Sequence, residues 1–192
     1  MAVSYNCSVA HTRPKLLAEE ALYEYAIRTL TRRSLTVQEL RKRLDRRTTK
    51  CDVREKVMDR LTRAGYLDDE KLADAYVSIK KDHESLGSRR VLMDLRRRGV
   101  SKTTAEKVVF LAYKEVTEDQ LITRQLKRKL GENFADHKIT DHKKILALYR
   151  SLVRAGFSSD KIGGVLRTIA PDADLPADFS DQPPDLYEEV FD

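Results

Sequence analysis

The side chains in this chain that could do chemistry are overwhelmingly cationic. The run Arg41-Lys42-Arg43-Leu44-Asp45-Arg46-Arg47 is the densest, and between Arg28 and Arg63 thirteen bases face five acids, a local excess of eight. Arg89-Arg90 with Arg96-Arg97-Arg98 follow, then Lys127-Arg128-Lys129 and His142-Lys143-Lys144. A guanidinium presents a planar fork of donors that matches phosphate and carboxylate, so the chemistry such clusters offer is binding of anions. Recurrence along the chain points to a polyanionic partner, either nucleic acid or an acidic protein surface. The candidate contact residues are Arg32, Arg33, Arg41, Arg43, Arg46, Arg47, Arg89, Arg90, Arg96, Arg97, Arg98, Lys127, Arg128 and Lys129.

Other chemistries find no support. The sequence has no phosphate-binding G-x-x-x-x-G-K-[ST], no G-x-G-x-x-G after a strand, no H-E-x-x-H and no C-x-x-C. His11, His83, His137 and His142 are scattered, and Cys7 and Cys51 are too few for a disulfide framework or a zinc site. No acid sits in an apolar setting that would raise its pKa. The expectation is a non-enzyme without cofactor or metal. The longest apolar run, Val108 to Tyr113, has six residues, against the roughly 20 of a membrane span. A cytoplasmic protein with no membrane partner is expected.

These charges must be positioned by helices. Residues 15–170 contain no proline and are rich in Leu, Arg, Lys, Glu and Ala, whereas four of the five prolines lie from 171 onward. Thr36-Val37-Gln38-Glu39 and Thr117-Glu118-Asp119-Gln120 fit the capping box, and Gly65, Gly99 and Gly156 sit where C-cap glycines sit. The spacing predicts helices over 17–33, 36–47, 52–64, 68–84, 88–98, 102–115, 117–130, 139–155 and 158–169. Tyr25, Tyr76, Tyr113 and Tyr149 fall beside apolar residues at helical spacing, which favours core packing over base stacking.

The helices repeat in threes. Anchored on Leu44, Leu95 and Leu152, which lie 51 and 57 residues apart, the position four earlier holds Leu40, Val91 and Leu148. Thirteen later stand Val57, Val108 and Val165, and one further on Met58, Val109 and Leu166. Gly99-Val100-Ser101 and Gly156-Phe157-Ser158 share a register; Thr48, Thr49 and Lys50 depart from it, so the first turn must differ. The predicted fold is all-α: an elongated, curved array of three tandem three-helix repeats at 17–66, 67–116 and 117–170, after a flexible segment 1–16. Stacked repeats of this kind are stabilised by their neighbours. Small-angle scattering should then give a radius of gyration well above the ~16 Å of a compact domain of this length. Residues 171–192 form an acidic, proline-rich tail with eight acids and no base, expected to be disordered. It is either a solubilising end or a self-inhibitory or partner-binding arm. Without it, the formal +6 of the whole chain becomes +14 on residues 1–170.

Three segments carry a family resemblance. The first has Ala26, Leu30, Arg33, Glu39, Leu40 and Leu44; the second runs Gly65-Tyr66-Leu67-Asp68-Asp69 to Leu72-Ala73 and Tyr76; the third has Gly87, Arg90, Val91, Leu95, Arg98, Gly99 and Val100. Together they resemble the RecX family, bacterial regulators of the recombinase RecA. One departure is the serine of the first segment: Ser34 directly follows Arg33, and Thr36 takes the capping place. The match is specific over about residues 20–115 and weaker through 170.

The resemblance implies a helical array lying in the groove of the RecA–DNA nucleoprotein filament. There it would restrain ATP hydrolysis, strand exchange and co-protease action in DNA repair and the SOS response, as a monomer with weak, sequence-nonspecific DNA binding. The alternative is an autonomous helical DNA-binding protein, built on pairs such as 36–47 with 52–64. Asp68, Asp69 and Tyr76 are expected to cap and pack, with Tyr76 between repeats, and to take no part in a reaction.

Overall fold

The computed structural model describes residues 16–134 and 139–171. The segment expected to be flexible at the N-terminus, all but Leu16, and the acidic tail from Asp172 onward lie outside the described residues, as does His137. Within them every regular element is helical. The helices are α1 (Glu19–Arg32), α2 (Val37–Asp45), α3 (Cys51–Arg63), α4 (Asp69–Ser78), α5 (Ser88–Arg97), α6 (Lys102–Tyr113), α7 (Glu118–Leu130), α8 (His142–Arg154) and α9 (Ser159–Ile169).

Their ends follow local chemistry. The Thr36 hydroxyl accepts from the Glu39 N–H at 3.0 Å while the Glu39 carboxylate accepts from the Thr36 N–H at 3.1 Å, a reciprocal pair that starts α2. Thr117 and Gln120 start α7 in the same way. Helix α8 begins three residues later than its expected start at 139. Asp141 takes the N-cap, accepting from the Lys143 and Lys144 N–H groups at 2.9 and 3.4 Å. At Gly99, with φ +87°, the Val100 N–H reaches the Leu95 carbonyl and the Gly99 N–H reaches Arg96, and Gly156 closes α8 by the same pair of bonds. The turn after α2 needs no such glycine. There the Arg47 and Thr48 N–H groups both bond the Leu44 carbonyl, at 2.7 and 3.0 Å, and Thr48 is buried in the turn.

The chain divides at Asp68/Asp69 into two compact units. The first holds α1–α3 around Leu22, Ala26, Leu40, Leu44, Val57, Met58, Leu61 and Leu67. The second holds α4–α9 and contains two clusters. One is built on Ala73, Val77, Val91, Leu95, Ala105 and Val108, the other on Leu121, Ile122, Leu126, Tyr149, Leu152, Ile162 and Leu166. The anchors Leu44, Leu95 and Leu152 are fully buried, each in its own cluster.

Within the second unit the two clusters are joined at residues 79–90, where two expectations are corrected. The helix predicted over 68–84 stops at Ser78 and widens into a π-helical turn, Ile79–His83, closed by the Glu84 N–H on the Ile79 carbonyl. The wide turn, with Ser85 at φ +50°, sets Leu86 against both clusters, which a continuous α-helix would carry past them. Tyr76 does not pack between repeats. It packs inside the cluster of α4–α6, and its hydroxyl donates to Asp94 of α5 at 3.3 Å.

Burial, reinforced by the Asp94 carboxylate, pushes the Tyr76 phenol up to about 12. Burial also raises Tyr113, whose hydroxyl donates to the Leu86 carbonyl at 2.8 Å. Both phenols hold their protons more tightly folded than unfolded. Their contribution to stability is therefore complete below the ordinary tyrosine value of about 10 and is lost as pH rises through the folded values. The melting temperature is expected to fall from pH 10 upward, less steeply in Tyr76→Phe. An unchanged slope in that variant would show that Tyr76 takes no part in it.

Candidate anion-binding site

The structure sorts the basic residues into those occupied by the protein itself and those turned toward solvent. Arg33 pairs with Glu39 at 3.3 Å, Arg41 with Glu55 at 2.9 Å and Lys127 with Glu132 at 3.0 Å. Arg96 donates to the Val100 carbonyl at 3.4 Å, and the Arg98 guanidinium lies 5.3 Å from the Tyr76 ring centre. Arg89 and Arg97 are exposed on α5. Exposed pairs of this kind contribute about 0–1 kcal/mol each, so they matter mainly by neutralising charge.

Three predicted residues meet in a hollow of about 540 Å³ in the second unit: Arg90, Arg128 and Lys129, joined by Lys80 and Arg154. These cations are largely consumed. Arg90 Nε donates to Asp94 at 3.1 Å, Lys80 pairs with Glu84, Lys129 donates to the Ser151 hydroxyl, and Arg128 donates to the His83 and Glu84 carbonyls. Gln125 donates to the Glu84 and Ser85 carbonyls at 3.3 and 3.2 Å. The carbonyls freed by the π-turn are thus bonded from α7, and this hollow is a structural joint.

The first unit is different. Tyr25, Arg28 and Arg32 share one face of α1, being three and seven residues apart, the spacing of successive helical turns. Arg43 and Arg46–Arg47 come from the C-terminal end of α2. A hollow of about 350 Å³ is lined by Leu17, Ala21, Tyr25, Arg28, Thr29, Arg32 and Arg47, and a second of about 360 Å³ by Tyr25, Arg43, Arg46 and Arg47. They share Tyr25 and Arg47, so five arginines line the pair of hollows, and no acid is among the lining residues. Arg28 also lies 3.7 Å from Glu24, both strongly exposed. The Arg47 guanidinium stands 4.8 Å from the Tyr25 ring centre. Its backbone is fixed beneath, where the Arg47 carbonyl accepts from the Leu17 N–H at 2.7 Å.

Of the predicted contact residues, then, Arg32, Arg43, Arg46 and Arg47 are brought together at an open site. Tyr25 and Arg28 belong to it as well, although the sequence pattern places Tyr25 in the core and leaves Arg28 out. Tyr25 does pack on the first cluster, but one side of it lines the hollows. The signal that could have found it is the i, i+3, i+7 row of Tyr25, Arg28 and Arg32. Among the described residues no group of three or more His, Cys, Asp or Glu could hold a metal ion, and no helix is long and apolar enough to cross a membrane.

Residues 68–109 match the family model described as RecX, second three-helix domain. The regulatory protein RecX of Mycobacteroides abscessus is 30% identical over 149 residues, covering 78% of this chain and 72% of that one. That of Deinococcus radiodurans is 32% identical over 160 residues, covering 82% and 74%. The chain belongs to the RecX family of regulatory proteins. The RecX crystal structure from Lactobacillus salivarius shares its fold, with a TM-score of 0.63 at 19% identity over 79% of this chain and 96% of that one. The RecX family residues Gly65, Leu67, Ala73, Tyr76, Gly87, Leu95 and Gly99 prove to be turns and packing. Gly65 ends α3 at φ +74°, Leu67 and Ala73 are buried, and Tyr76 ties α4 to α5.

Proposed function

We propose that this RecX-family chain is a non-enzymatic regulator of RecA, mainly an inhibitor, that binds in the groove of the RecA–DNA filament. By occupying the groove it modulates ATP hydrolysis, strand exchange and co-protease action in DNA repair and the SOS response. Its helix triplets act as the three repeats 17–66, 67–116 and 117–170, in a monomer working in the cytoplasm. The observation that carries the reading is the acid-free arginine hollow around Tyr25, a surface suited to a polyanion, in a chain of this family. The RecX family membership supplies RecA; the hollow supplies a reason for the DNA-bearing form of it.

An autonomous reader of DNA sequence is less well supported. A recognition helix needs side chains free to reach base edges. On α3, Arg54 is bound to Asp45 and Glu55, which hold its guanidinium well above its ordinary pKa, and Arg60 pairs with Glu20 at 2.9 Å. The test is co-sedimentation of the full chain with RecA polymerised on single-stranded DNA. The chain is expected in the pellet with the filament and in the supernatant with RecA-free DNA at physiological salt. Recovery in the supernatant in both cases sinks the proposal.

A further inference from the structure

We propose that the Tyr25 hollow is a site for single-stranded nucleic acid. One unpaired base stacks against the Tyr25–Arg47 pair, and the flanking phosphates are held by Arg28, Arg32, Arg43 and Arg46. The inference rests on the reading of this surface as facing a nucleic-acid-bearing partner and deepens it, assigning the form of the strand and a contact to the base itself.

Two aromatic–arginine pairs of the first unit make the contrast. Arg60 lies 3.7 Å from the Tyr23 ring centre and is neutralised by Glu20 at 2.9 Å, so that pair is complete within the protein. Arg47 lies 4.8 Å from the Tyr25 ring centre with four further arginines and no acid among the residues lining the two hollows. Like charges lining one pair of hollows repel one another, and a bound anion relieves the repulsion. A bare phosphate or a carboxylate would satisfy the arginines alone. The ring adds an apolar, planar face, half-buried on the first core cluster and therefore held in place before any ligand arrives. Cations lining the hollows beside such a face suit a chain that alternates phosphates with planar bases.

The same geometry selects the form of the strand. In a duplex the base faces are covered by their neighbours, and only the phosphates remain for the arginines. In a single strand a base can swing onto the ring, and aromatic stacking is tolerant of sequence because every base has a π-face. The site therefore prefers unpaired strand and discriminates little among bases.

The experiment measures binding of the full chain, without RecA, to three labelled probes: a short oligothymidylate, a strand of the same length made of abasic phosphodiester, and the corresponding duplex. Measurement at low salt raises phosphate affinity into range. The oligothymidylate is expected to bind at least about fivefold tighter than the abasic strand, the effect of a single stacked base. Tyr25→Leu should bring it down to the abasic level without weakening the abasic strand, and Tyr25→Phe, which keeps the ring, should leave all three unchanged. Equal binding of oligothymidylate and abasic strand by the unaltered chain overturns the proposal whatever the variants do. Tighter binding of the duplex overturns it as well. If no probe binds yet the chain still co-sediments with the RecA filament, this site is wrong and the regulator reading stands. Base-dependent binding without co-sedimentation supports the site and removes the regulator reading.

Discussion

Gly156→Ala is expected to destabilise the protein by about 2–5 kcal/mol. Two costs combine. Gly156 has φ +90°, and a Cβ built on it would stand 2.5 Å from the Arg90 backbone nitrogen and 2.6 Å from the Arg90 Cβ. Neither neighbour is the flexible end of a side chain, so the start of α5 and the end of α8 would have to separate. Gly87, on the opposite side of the same approach, has an ordinary φ of −70°, but its Cβ would meet the Gly156 carbonyl oxygen at 2.4 Å. Gly87→Ala also endangers the bond from the Gly87 N–H to the Ala155 carbonyl, 2.8 Å long. It should cost about 1–3 kcal/mol or more. Gly65 provides the control: φ is +74°, yet nothing lies within 4 Å of a Cβ, so only the backbone cost of about 1–2 kcal/mol applies. Urea denaturation of the three variants checks the order. Equal losses at Gly65 and Gly156 would mean that α5 and α8 do not approach this closely.

The second large effect is functional. Reversing Arg43, Arg46 and Arg47 to glutamate places three negative charges where the Tyr25 hollow offers three positive ones. Each phosphate of a single strand that is no longer neutralised lowers the salt slope of log affinity by about 0.7, so affinity for the DNA-bearing filament should fall by more than about tenfold near physiological salt. Stability should change little, since surface substitutions cost within about 0.5 kcal/mol each and the Arg47–Tyr25 contact about 0.5–1 kcal/mol. Arg41→Glu is the comparison, because it belongs to the same run of sequence but pairs with Glu55. It should leave filament affinity nearly unchanged. Equal losses from Arg41→Glu and from the triple variant would mean that the run acts by bulk charge and that the hollow confers nothing.

What the sequence shows and what it withholds divide along physical lines. Helix positions are legible because caps and apolar periodicity are local. Thr36, Thr117 and Gly99 mark their ends, and the buried Leu40/Leu44 and Val91/Leu95 pairs fall on the expected stripe. The π-turn at Ile79–His83 is not legible, because its cause lies in α6 and α7, whose Tyr113, Gln125 and Arg128 bond the carbonyls of residues 83–86. Gly156 is recognisable as a C-cap, but its close approach to Arg90 is a relation between residues far apart in sequence. The same limit governs the site. Counting charge finds Arg41 and Arg47 equally, and only the fold shows that one has Glu55 beside it while the other stands over Tyr25.

Whether this chain restrains RecA by occupying the groove of its filament is decided by the steady-state ATPase of RecA on single-stranded DNA, titrated with the full chain. Inhibition is expected to grow with added protein and to be complete near stoichiometry with RecA, as repeated occupancy of a groove requires. Inhibition complete at far lower ratios would place the chain at filament ends and contradict the groove; hydrolysis unchanged at stoichiometric protein would contradict restraint of RecA altogether.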